Sequence, residues 1–160
     1  MPRITGLIHV CNHERQVGRA LLSLRPCDEV LVVDHGSTDG TLKVSREHGA
    51  RIIQAASNAD HGSYARSAGN DWIFCLLPCE AIAEDLEASL LEWKIASAGD
   101  DHVGYKIGIR EQTGTEWKLL EPELRLVKRT KVNWARNFPV LEANAPTLAG
   151  HILRIQNRDE

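Results

Sequence analysis

Three short stretches of the chain carry side chains that could bind a ligand together. They are residues 11–14 (CNHE), 34–39 (DHGSTD) and 77–80 (LPCE), and each follows an apolar run typical of a buried strand. In an open α/β sheet, ligands bind beyond the carboxyl ends of the strands, near the point where the strand order reverses. Gly36 allows the backbone to turn, and a helix behind Asp39 would offer free backbone amides. The same residue types also occur at ordinary turns between a strand and a helix, so both interpretations stay open.

A metal site is a second chemistry that these stretches would permit. If the strands before them are neighbours, two thiols and two imidazoles lie near one edge of the sheet, namely Cys11, His13, His35 and Cys79. Two thiolates and two imidazoles suit tetrahedral Zn²⁺, but the chain lacks the usual Cys-x-x-Cys spacing. Free thiols and surface histidines are the alternative. A disulfide between Cys11 and Cys79 would need similar geometry, and the absence of a secretion signal favours free thiols.

The first hundred residues predict strands that alternate with helices. Hydrophobic periodicity and turn residues predict strands at 4–10, 29–34, 50–54 and 71–77. They predict helices within 12–24, between Asp39 and Gly49, and over 83–97. The stretch 55–70 is expected to be a loop with at most one helical turn. Strands that alternate with helices indicate an α/β fold with a parallel sheet.

After Asp100 the pattern changes to strands without long helices. Two strands are expected around a turn at 112–115, and further strands within 123–129, 131–135 and 147–156. We therefore expect one domain over residues 1–160. Its first part, 1–100, would carry the mostly parallel sheet, and 101–160 would add mixed or antiparallel strands to it.

Charge and hydropathy exclude several classes of partner. The formal net charge of −3 gives no electrostatic case for binding nucleic acid or an anionic membrane. No apolar run approaches the roughly 18 residues of a membrane span. The apolar stretch near the first residue is too short for the core of a signal peptide. The expectation is a cytoplasmic protein without a nucleic-acid partner or a transmembrane segment.

Three segments resemble the nucleotide-binding half of glycosyltransferase family 2, the inverting GT-A enzymes that use nucleotide-diphosphate sugars. They are 4–24 (ITGLIHVCNHERQVGRALLSL), 28–41 (DEVLVVDHGSTDGT) and 69–80 (GNDWIFCLLPCE). The element VVDHGSTDGT is the specific part of this resemblance. The later segment 123–134 (ELRLVKRTKVNW) is similar to an arginine-bearing strand region of bacterial members. The resemblance implies a GT-A, Rossmann-like nucleotide-binding sheet.

The resemblance also implies which residues bind the nucleotide. Asp34 would hold the base or the ribose, and Asn12 and Glu14 would lie beside the base. Gly36 would shape the turn, and Asp39 would cap the following helix. Carboxylates suit such roles because they accept hydrogen bonds from a base imide or a ribose hydroxyl.

The metal-binding pair that the family carries is absent from this chain. The fourth strand of the family normally ends in Asp-x-Asp, which holds Mg²⁺ or Mn²⁺ against the diphosphate, and here Leu77 and Cys79 occupy those positions. Leucine has no donor atom, and a thiol is a poor ligand for these hard ions. Glu80 is left as a weak metal candidate, a solitary carboxylate one position later.

Protein cations could replace the metal, whereas a catalytic base is harder to find. Arg66, Arg125 and Arg129 are candidate diphosphate contacts, because a guanidinium binds phosphate through two parallel hydrogen bonds. An inverting transfer also needs a base that deprotonates the acceptor hydroxyl. The late acidic pair of the family has no clear counterpart, and Glu142 is the only acid near the expected position.

Two functions therefore stay open, and whether the chain is an enzyme is uncertain from sequence. One is transfer of a sugar, hexosyltransferase-like, from a nucleotide-diphosphate sugar to a glycan or lipid acceptor. The other is a catalytically degenerate GT-A protein, a pseudoenzyme that binds a nucleotide, a protein partner or a second copy of itself. The four tryptophans are expected in the core, with stacking on an acceptor sugar by Trp117 or Trp134 as the alternative.

Overall fold

The computed structural model describes residues 1–57, 62–96, 101–141 and 143–156. In chain order its elements are β1 (Ile4–Val10), α1 (Glu14–Ser23), β2 (Glu29–Asp34), α2 (Thr41–Glu47), β3 (Arg51–Gln54), α3 (Ser63–Arg66), β4 (Trp72–Leu76), β5 (Glu80–Ile82), α4 (Glu84–Ala96), β6 (Gly104–Thr113), β7 (Glu116–Lys128), β8 (Asn133–Ala135), β9 (Phe138–Val140) and β10 (Thr147–Ile155). The predicted alternation of strands and helices in the first half is confirmed.

One mixed sheet of eight strands organises these elements. Its order is β3-β2-β1-β4-β7-β6-β10-β5, and β8 pairs with β9 in a separate ribbon. β1 lies between β2 and β4 and runs parallel to both, so that Ile8 aligns with Val32 on one side and with Leu76 on the other. The chain therefore builds the sheet outward in two directions from β1, and the junction of β1 and β4 is its topological switch point.

Both faces of the sheet are covered by apolar side chains. On one face, α1 and α4 bury residues that recur at helical spacing, including Val17, Leu21, Leu86 and Leu90. On the other face, Ala65 of α3 packs among residues from the parallel strands and from β7. Burial on two faces explains why β2 reads as an uninterrupted β-branched run in place of an alternating pattern.

The second half extends the same sheet with mixed strands, as expected, because β10 runs parallel to β6. β7 pairs antiparallel with both β4 and β6, and it is one strand where the sequence predicts two. The break in the pattern is a change of register opposite Gly108, where β7 carries Glu121 and Pro122. Proline has no N–H to donate, so a bulge is where a strand tolerates it. The three-residue strands β5 and β9 are not predicted.

The tryptophans divide into two groups. Trp72 and Trp93 lie in the core with their rings edge to face, 4.8 Å between centroids, as expected. Trp134 is half-buried, contacts the position of Gly62 and donates from Nε1 to the carbonyl of Arg129. The core position expected for Trp117 is wrong, because this residue lies near the tip of the β6–β7 hairpin and its side chain is 47% exposed.

Membrane-spanning helices were sought over the described residues. None of the helices there is long and apolar enough to cross a bilayer.

Candidate functional site

The candidate site lies at the carboxyl ends of β1, β2 and β4, where the strand order reverses. The turn after β2 is built around Asp34, whose Oδ1 accepts a hydrogen bond from the Ser37 amide at 3.1 Å. Gly36 has φ +92°, a left-handed conformation that glycine adopts without strain. Burial raises the pKa of the Asp34 carboxyl, but hydrogen bonds from Ser37, Gln54 and the Gly36 amide outweigh it and hold the pKa below its ordinary value. Asp34 is therefore a buried, ionised acceptor.

Asn12 joins the turn after β1 to the turn after β2. Its Oδ1 accepts hydrogen bonds from the backbone amides of Thr38 at 2.7 Å and Asp39 at 3.3 Å, and its own amide donates to Ser37. Its φ of +59° is left-handed, a conformation that asparagine tolerates better than most residues. Asn12 lies in the turn after β1, and the oxygen of its side chain is engaged in holding the two turns together.

Asp39 and Glu14 connect the beginnings of the two helices. Asp39 Oδ1 accepts from the Thr41 amide at 3.0 Å and from the Thr41 hydroxyl, and Oδ2 accepts from the Glu14 amide at 3.2 Å. These hydrogen bonds, chiefly that of the Thr41 hydroxyl, lower the pKa of Asp39. The Glu14 side chain lies over Gly40, where a Cβ would meet Oε1 at 2.2 Å. Asn12, Glu14 and Asp39 therefore form one hydrogen-bonded unit, and the absence of a side chain at Gly40 leaves room for the Glu14 carboxylate beside it.

The turn after β4 differs from the expected metal site. Glu80 has no exposed side-chain surface, and its two carboxylate oxygens accept four hydrogen bonds. The donors are the Leu77 amide, two nitrogens of Arg125, and Nε of Arg154. Burial raises the pKa of Glu80, but these partners, chiefly Arg125, lower it overall. Glu80 is thus saturated by protein donors and is not a solitary carboxylate.

The residues at this turn do not fit Mg²⁺ or Mn²⁺. These ions require several oxygen ligands, whereas the turn offers the side chains of Leu77, Pro78 and Cys79 above the saturated Glu80. No group of three His, Cys, Asp or Glu side chains in the described ranges is placed to hold a metal ion. The candidate zinc set of Cys11, His13, His35 and Cys79 is included in this result, so these four side chains do not form a metal site. All four cysteines of the chain are free thiols.

The three candidate arginines do not form one cluster: Arg129 donates to the backbone carbonyl of Arg66 at 3.5 Å, whereas Arg125 lies in the interior. Arg125 is fully buried against Glu80 and Glu123, with the Phe138 ring 5.0 Å from its guanidinium carbon, so a diphosphate could reach it only if these contacts opened. Arg129 lies beside Asp71 at the amino end of β4, the opposite end from the site, and donates to the carbonyl of Ala68. Arg66 is an exposed residue at the end of α3. Glu142, the candidate base, lies outside the described residues.

A pocket of about 410 Å³ opens between the turns after β1 and β4. Its lining combines imidazole and amide groups with apolar side chains and one thiol, and contains no Asp, Glu, Lys or Arg among the described residues. His9 connects this pocket to the Asp34 turn, because its Nδ1 is hydrogen-bonded to Nε2 of His35 at 2.8 Å. Tyr64 packs edge-on against the His9 ring. Burial, followed by the charge of His35, lowers the pKa of His9 to about 4.

Sequence reasoning missed the groups that α1 contributes to this edge. Arg19 donates from Nη2 to the carbonyl of Cys79 at 3.1 Å, so a guanidinium lies at the rim of the turn after β4. Gln16, one helical turn earlier, is buried and lines the pocket. The spacing of three residues places both side chains on one face of α1. That spacing is visible in the sequence, but the turn which faces it is known only from the fold.

Comparison with known proteins identifies the class of protein. The chain is 31% identical over 112 residues to an uncharacterized glycosyltransferase of Rickettsia typhi, which covers 67% of this chain and 38% of the relative. It is 35% identical over 68 residues to the 4,4'-diaponeurosporenoate glycosyltransferase of Staphylococcus aureus, over 40% of this chain and 18% of that relative. The chain thus spans less than half the length of these curated relatives. No protein-family model matches it.

Solved structures show the fold. TarS of S. aureus has a TM-score of 0.56 at 19% identity, over 70% of this chain and 22% of TarS. A mycobacterial protein has a TM-score of 0.52 at 20% identity, over 71% of this chain and 42% of that protein. The architecture is an α/β sheet of the GT-A type. Together with the glycosyltransferase relatives, it makes this chain a glycosyltransferase family 2-like protein.

Proposed function

We propose that this chain binds a nucleotide-diphosphate sugar at the carboxyl edge of β1, β2 and β4, and that it serves glycosyl transfer to a glycan or lipid acceptor. The observation that carries the proposal is the Asp34 turn at the carboxyl end of β2, one strand from the switch point between β1 and β4. A buried carboxylate with a lowered pKa is there surrounded by a turn of fixed shape. The glycosyltransferase names of the relatives support the same class of reaction.

In this proposal Asp34 accepts a hydrogen bond from the base or the ribose. An ionised carboxylate is an acceptor only, so it selects an N–H or O–H group of the nucleoside. Asn12 and Asp39 keep the two turns in register through their hydrogen bonds, while Glu14 and Gly36 lie along the same edge. The hydrogen-bonded turns give the nucleoside a site that is formed before it binds, which reduces the entropic cost of binding.

The diphosphate would be held by protein donors, because the turn after β4 does not fit a divalent metal. Arg19 is the cation that the structure places at this turn, and His13 lines the adjoining pocket. A guanidinium hydrogen-bonds phosphate oxygens strongly and stays charged at every physiological pH. We therefore assign diphosphate contact to Arg19 in preference to the enclosed Arg125.

A second function is favoured by the saturation of Glu80. The Glu80 carboxylate is occupied by its hydrogen bonds to Arg125 and is not free to act as a catalytic base. The described lining of the pocket contains no Asp or Glu that could take this role. A GT-A domain that binds the nucleotide without transferring sugar would need no such base. The cytoplasmic location expected from the sequence stays a prediction under either function.

Calorimetric titration with UDP, GDP and CDP, each with Mn²⁺ and with EDTA, tests the proposal. We expect one nucleotide to bind, and Asp34→Asn to weaken it about 10- to 100-fold, the effect of one hydrogen bond to a charged group. Asp71→Asn, at an exposed position before β4, is the matched control and should bind as the unsubstituted chain does. Equal affinity in Asp34→Asn, with its fold verified by circular dichroism, would remove the nucleoside assignment.

Turnover separates the two functions once a nucleotide has been found. The purified chain would be incubated with the matching nucleotide sugar and a panel of glycan and lipid acceptors, and release of nucleoside diphosphate would be measured. Transfer supports the glycosyltransferase. Binding without transfer to any acceptor supports the nucleotide-binding module.

A further inference from the structure

The β6–β7 hairpin exposes two large apolar side chains on one face of the sheet. Trp117 is 47% exposed and Leu119 is 66% exposed. Side chains alternate between the two faces along a strand, so Trp117 and Leu119 share a face, while Leu120 packs against the core on the other. Scattered apolar residues on a surface need no explanation, whereas a contiguous group of them marks a contact surface.

Cross-strand pairing extends this apolar face from β7 over β6 to β10. The registers place six side chains in two adjacent rows, namely Trp117, Gln112 and Ile155, and Leu119, Arg110 and Leu153. Neighbours within a row are about 5 Å apart, the spacing of paired strands. Arg154 belongs to the opposite face, where it contacts Glu111. The six residues of the two rows form a continuous surface, here called the hairpin patch.

The hairpin patch lies at the same edge of the sheet as the candidate site. β7 runs antiparallel to β4, and their register ends where Phe74 is opposite Leu126. The residues of β7 that precede Leu126 therefore continue past the carboxyl end of β4. On β10, Ile155 is followed directly by Gln156, which lines the 410 Å³ pocket. Whatever covers the hairpin patch would therefore adjoin this pocket.

A single guanidinium indicates what kind of surface the hairpin patch fits. Arg110 is exposed in the middle strand of the patch and forms no ion pair with any residue that the structure describes. A guanidinium hydrogen-bonds phosphate oxygens strongly, and an indole ring suits a boundary that is apolar on one side and wet on the other. Two copies packed face to face through this patch would bring their Arg110 side chains together, which repulsion between like charges opposes.

We propose that the hairpin patch docks onto a phospholipid bilayer. Trp117 and Leu119 lie at the boundary between headgroups and acyl chains, and Arg110 contacts a headgroup phosphate. Burial of apolar surface drives this docking, so it does not require the net positive charge that the chain lacks. Docking would hold the candidate site beside the bilayer and would favour a lipid over a glycan as the acceptor. The choice of acceptor rests on the proposed function, whereas the docking does not.

Sedimentation with vesicles of phosphatidylcholine tests the docking. We expect the unsubstituted chain to sediment with the vesicles. The double variant Trp117→Gln with Leu119→Gln should bind them at least about tenfold more weakly, since burial of one leucine side chain already contributes a factor of this size. Leu91→Gln with Ile95→Gln is the matched control, because these exposed residues belong to α4, which packs on the opposite face. The control should bind as the unsubstituted chain does, and circular dichroism verifies the fold of each variant.

Fluorescence locates the contact within the patch. Phosphatidylcholine that is brominated in its acyl chains should quench part of the indole fluorescence of the unsubstituted chain. Because Trp72 and Trp93 are buried in the core, this quenching should be lost in Trp117→Phe.

The outcomes separate the docking from other partners and from the proposed function. The docking is overturned if the unsubstituted chain stays in the supernatant, if the two double variants bind equally, or if binding requires anionic phosphatidylglycerol and disappears in high salt. Self-association that the hairpin variant abolishes, without vesicle binding, would assign the patch to a second copy. Vesicle binding by a chain that binds no nucleotide leaves the docking in place and removes the proposed function. Transfer to glycan acceptors alone would overturn only the choice of a lipid acceptor.

Discussion

Arg125 and Glu80 form a bidentate ion pair in the interior of the protein. Nη1 lies 2.7 Å from Oε1 and Nη2 lies 2.9 Å from Oε2, and neither side chain has exposed surface. Arg154 and the Leu77 amide occupy the remaining acceptor positions of the carboxylate. The two residues that the sequence offered to a metal and to a diphosphate are therefore bound to each other. Their pairing fixes the turn after β4 against β7 and β10.

The first prediction concerns the stability that this pair supplies. Glu80→Gln should lower the free energy of unfolding by about 3–5 kcal/mol, because it leaves a buried guanidinium without its main counter-charge. Glu123, which contacts Arg125 at 3.0 Å, should keep the loss near the lower value. Urea denaturation followed by circular dichroism measures the effect.

Glu87→Gln is the matched control for this substitution. Glu87 pairs with Arg25 at 3.4 Å on the surface, where the Arg25 side chain is 67% exposed. Removal of an exposed ion pair should cost less than about 1 kcal/mol. Equal losses in the two variants would mean that the buried pair has no special role in holding the turn.

The second prediction is a pH dependence that arises from His9. The pKa of His9 is about 4 in the folded chain, and its ordinary value, taken for the unfolded chain, is 6.5. Between these two pH values the unfolded state therefore binds a proton that the folded state does not. Stability is therefore full above pH 6.5 and is lost as the pH falls toward 4, at no more than about 1.4 kcal/mol per pH unit. Urea denaturation at several pH values should show this slope, and His9→Gln should flatten it.

His35→Ala tests the cause of the low pKa of His9. Burial is the larger cause and the charge of His35 the smaller. In an NMR titration of the His9 ring, the variant should therefore raise the pKa of His9 while leaving it below 6.5. A pKa of 6.5 in the unsubstituted chain would contradict the packing of His9 against His35 and Tyr64.

The elements of the first half can be predicted because their causes are local. β2 is predicted to the residue, since a β-branched run ends at an acidic residue and a glycine turn follows. β5 has no such signal. It begins with Glu80, a charged residue that can be buried there only because Arg125, 45 positions later, supplies the counter-charge. The exposure of Trp117 likewise depends on where the hairpin extends and not on its own pattern.

The candidate site divides in the same way. The turn from Asp34 to Asp39 is encoded in consecutive residues, so its position and its glycine can be predicted from the sequence. The pocket cannot be predicted in this way, because its lining comes from segments that are far apart in the chain. They are α1, the turn after β4 and the segments near Asn137 and Gln156. Long-range pairing also decides that Arg125 faces the interior, whereas the sequence shows only an arginine on a strand.

The third prediction separates two contributions of Asn12. Asn12→Ala should lower the free energy of unfolding by about 2 kcal/mol, because it removes the acceptor for two backbone amides and because alanine tolerates the left-handed φ of +59° less well than asparagine does. Asn12→Gly loses only the hydrogen bonds and should cost about 1 kcal/mol. Asn12→Asp keeps the acceptor and serves as the control. Equal losses for alanine and glycine in urea denaturation would show that the backbone conformation contributes nothing.

The fourth prediction concerns the metal. Electron paramagnetic resonance of free Mn²⁺ should show no depletion when the ion is titrated into the unsubstituted chain, and EDTA should leave the nucleotide affinity unchanged, because Glu80 is saturated by protein donors. Leu77→Asp with Cys79→Asp supplies two carboxylates of the kind these ions prefer. In the presence of nucleotide, the double variant should bind Mn²⁺ at least about tenfold more tightly.

The unsubstituted chain and the double variant together show what the turn after β4 lacks. A gain of Mn²⁺ binding in the variant means that the backbone still has the shape for a metal and that only the side chains at 77 and 79 prevent it. Tight Mn²⁺ binding by the unsubstituted chain, with loss of nucleotide affinity in EDTA, would contradict the prediction and would assign the metal to ligands other than Glu80. If Glu80 itself became a ligand, its pair with Arg125 would have to open on binding, and the effect of the ion on the melting temperature would reveal this.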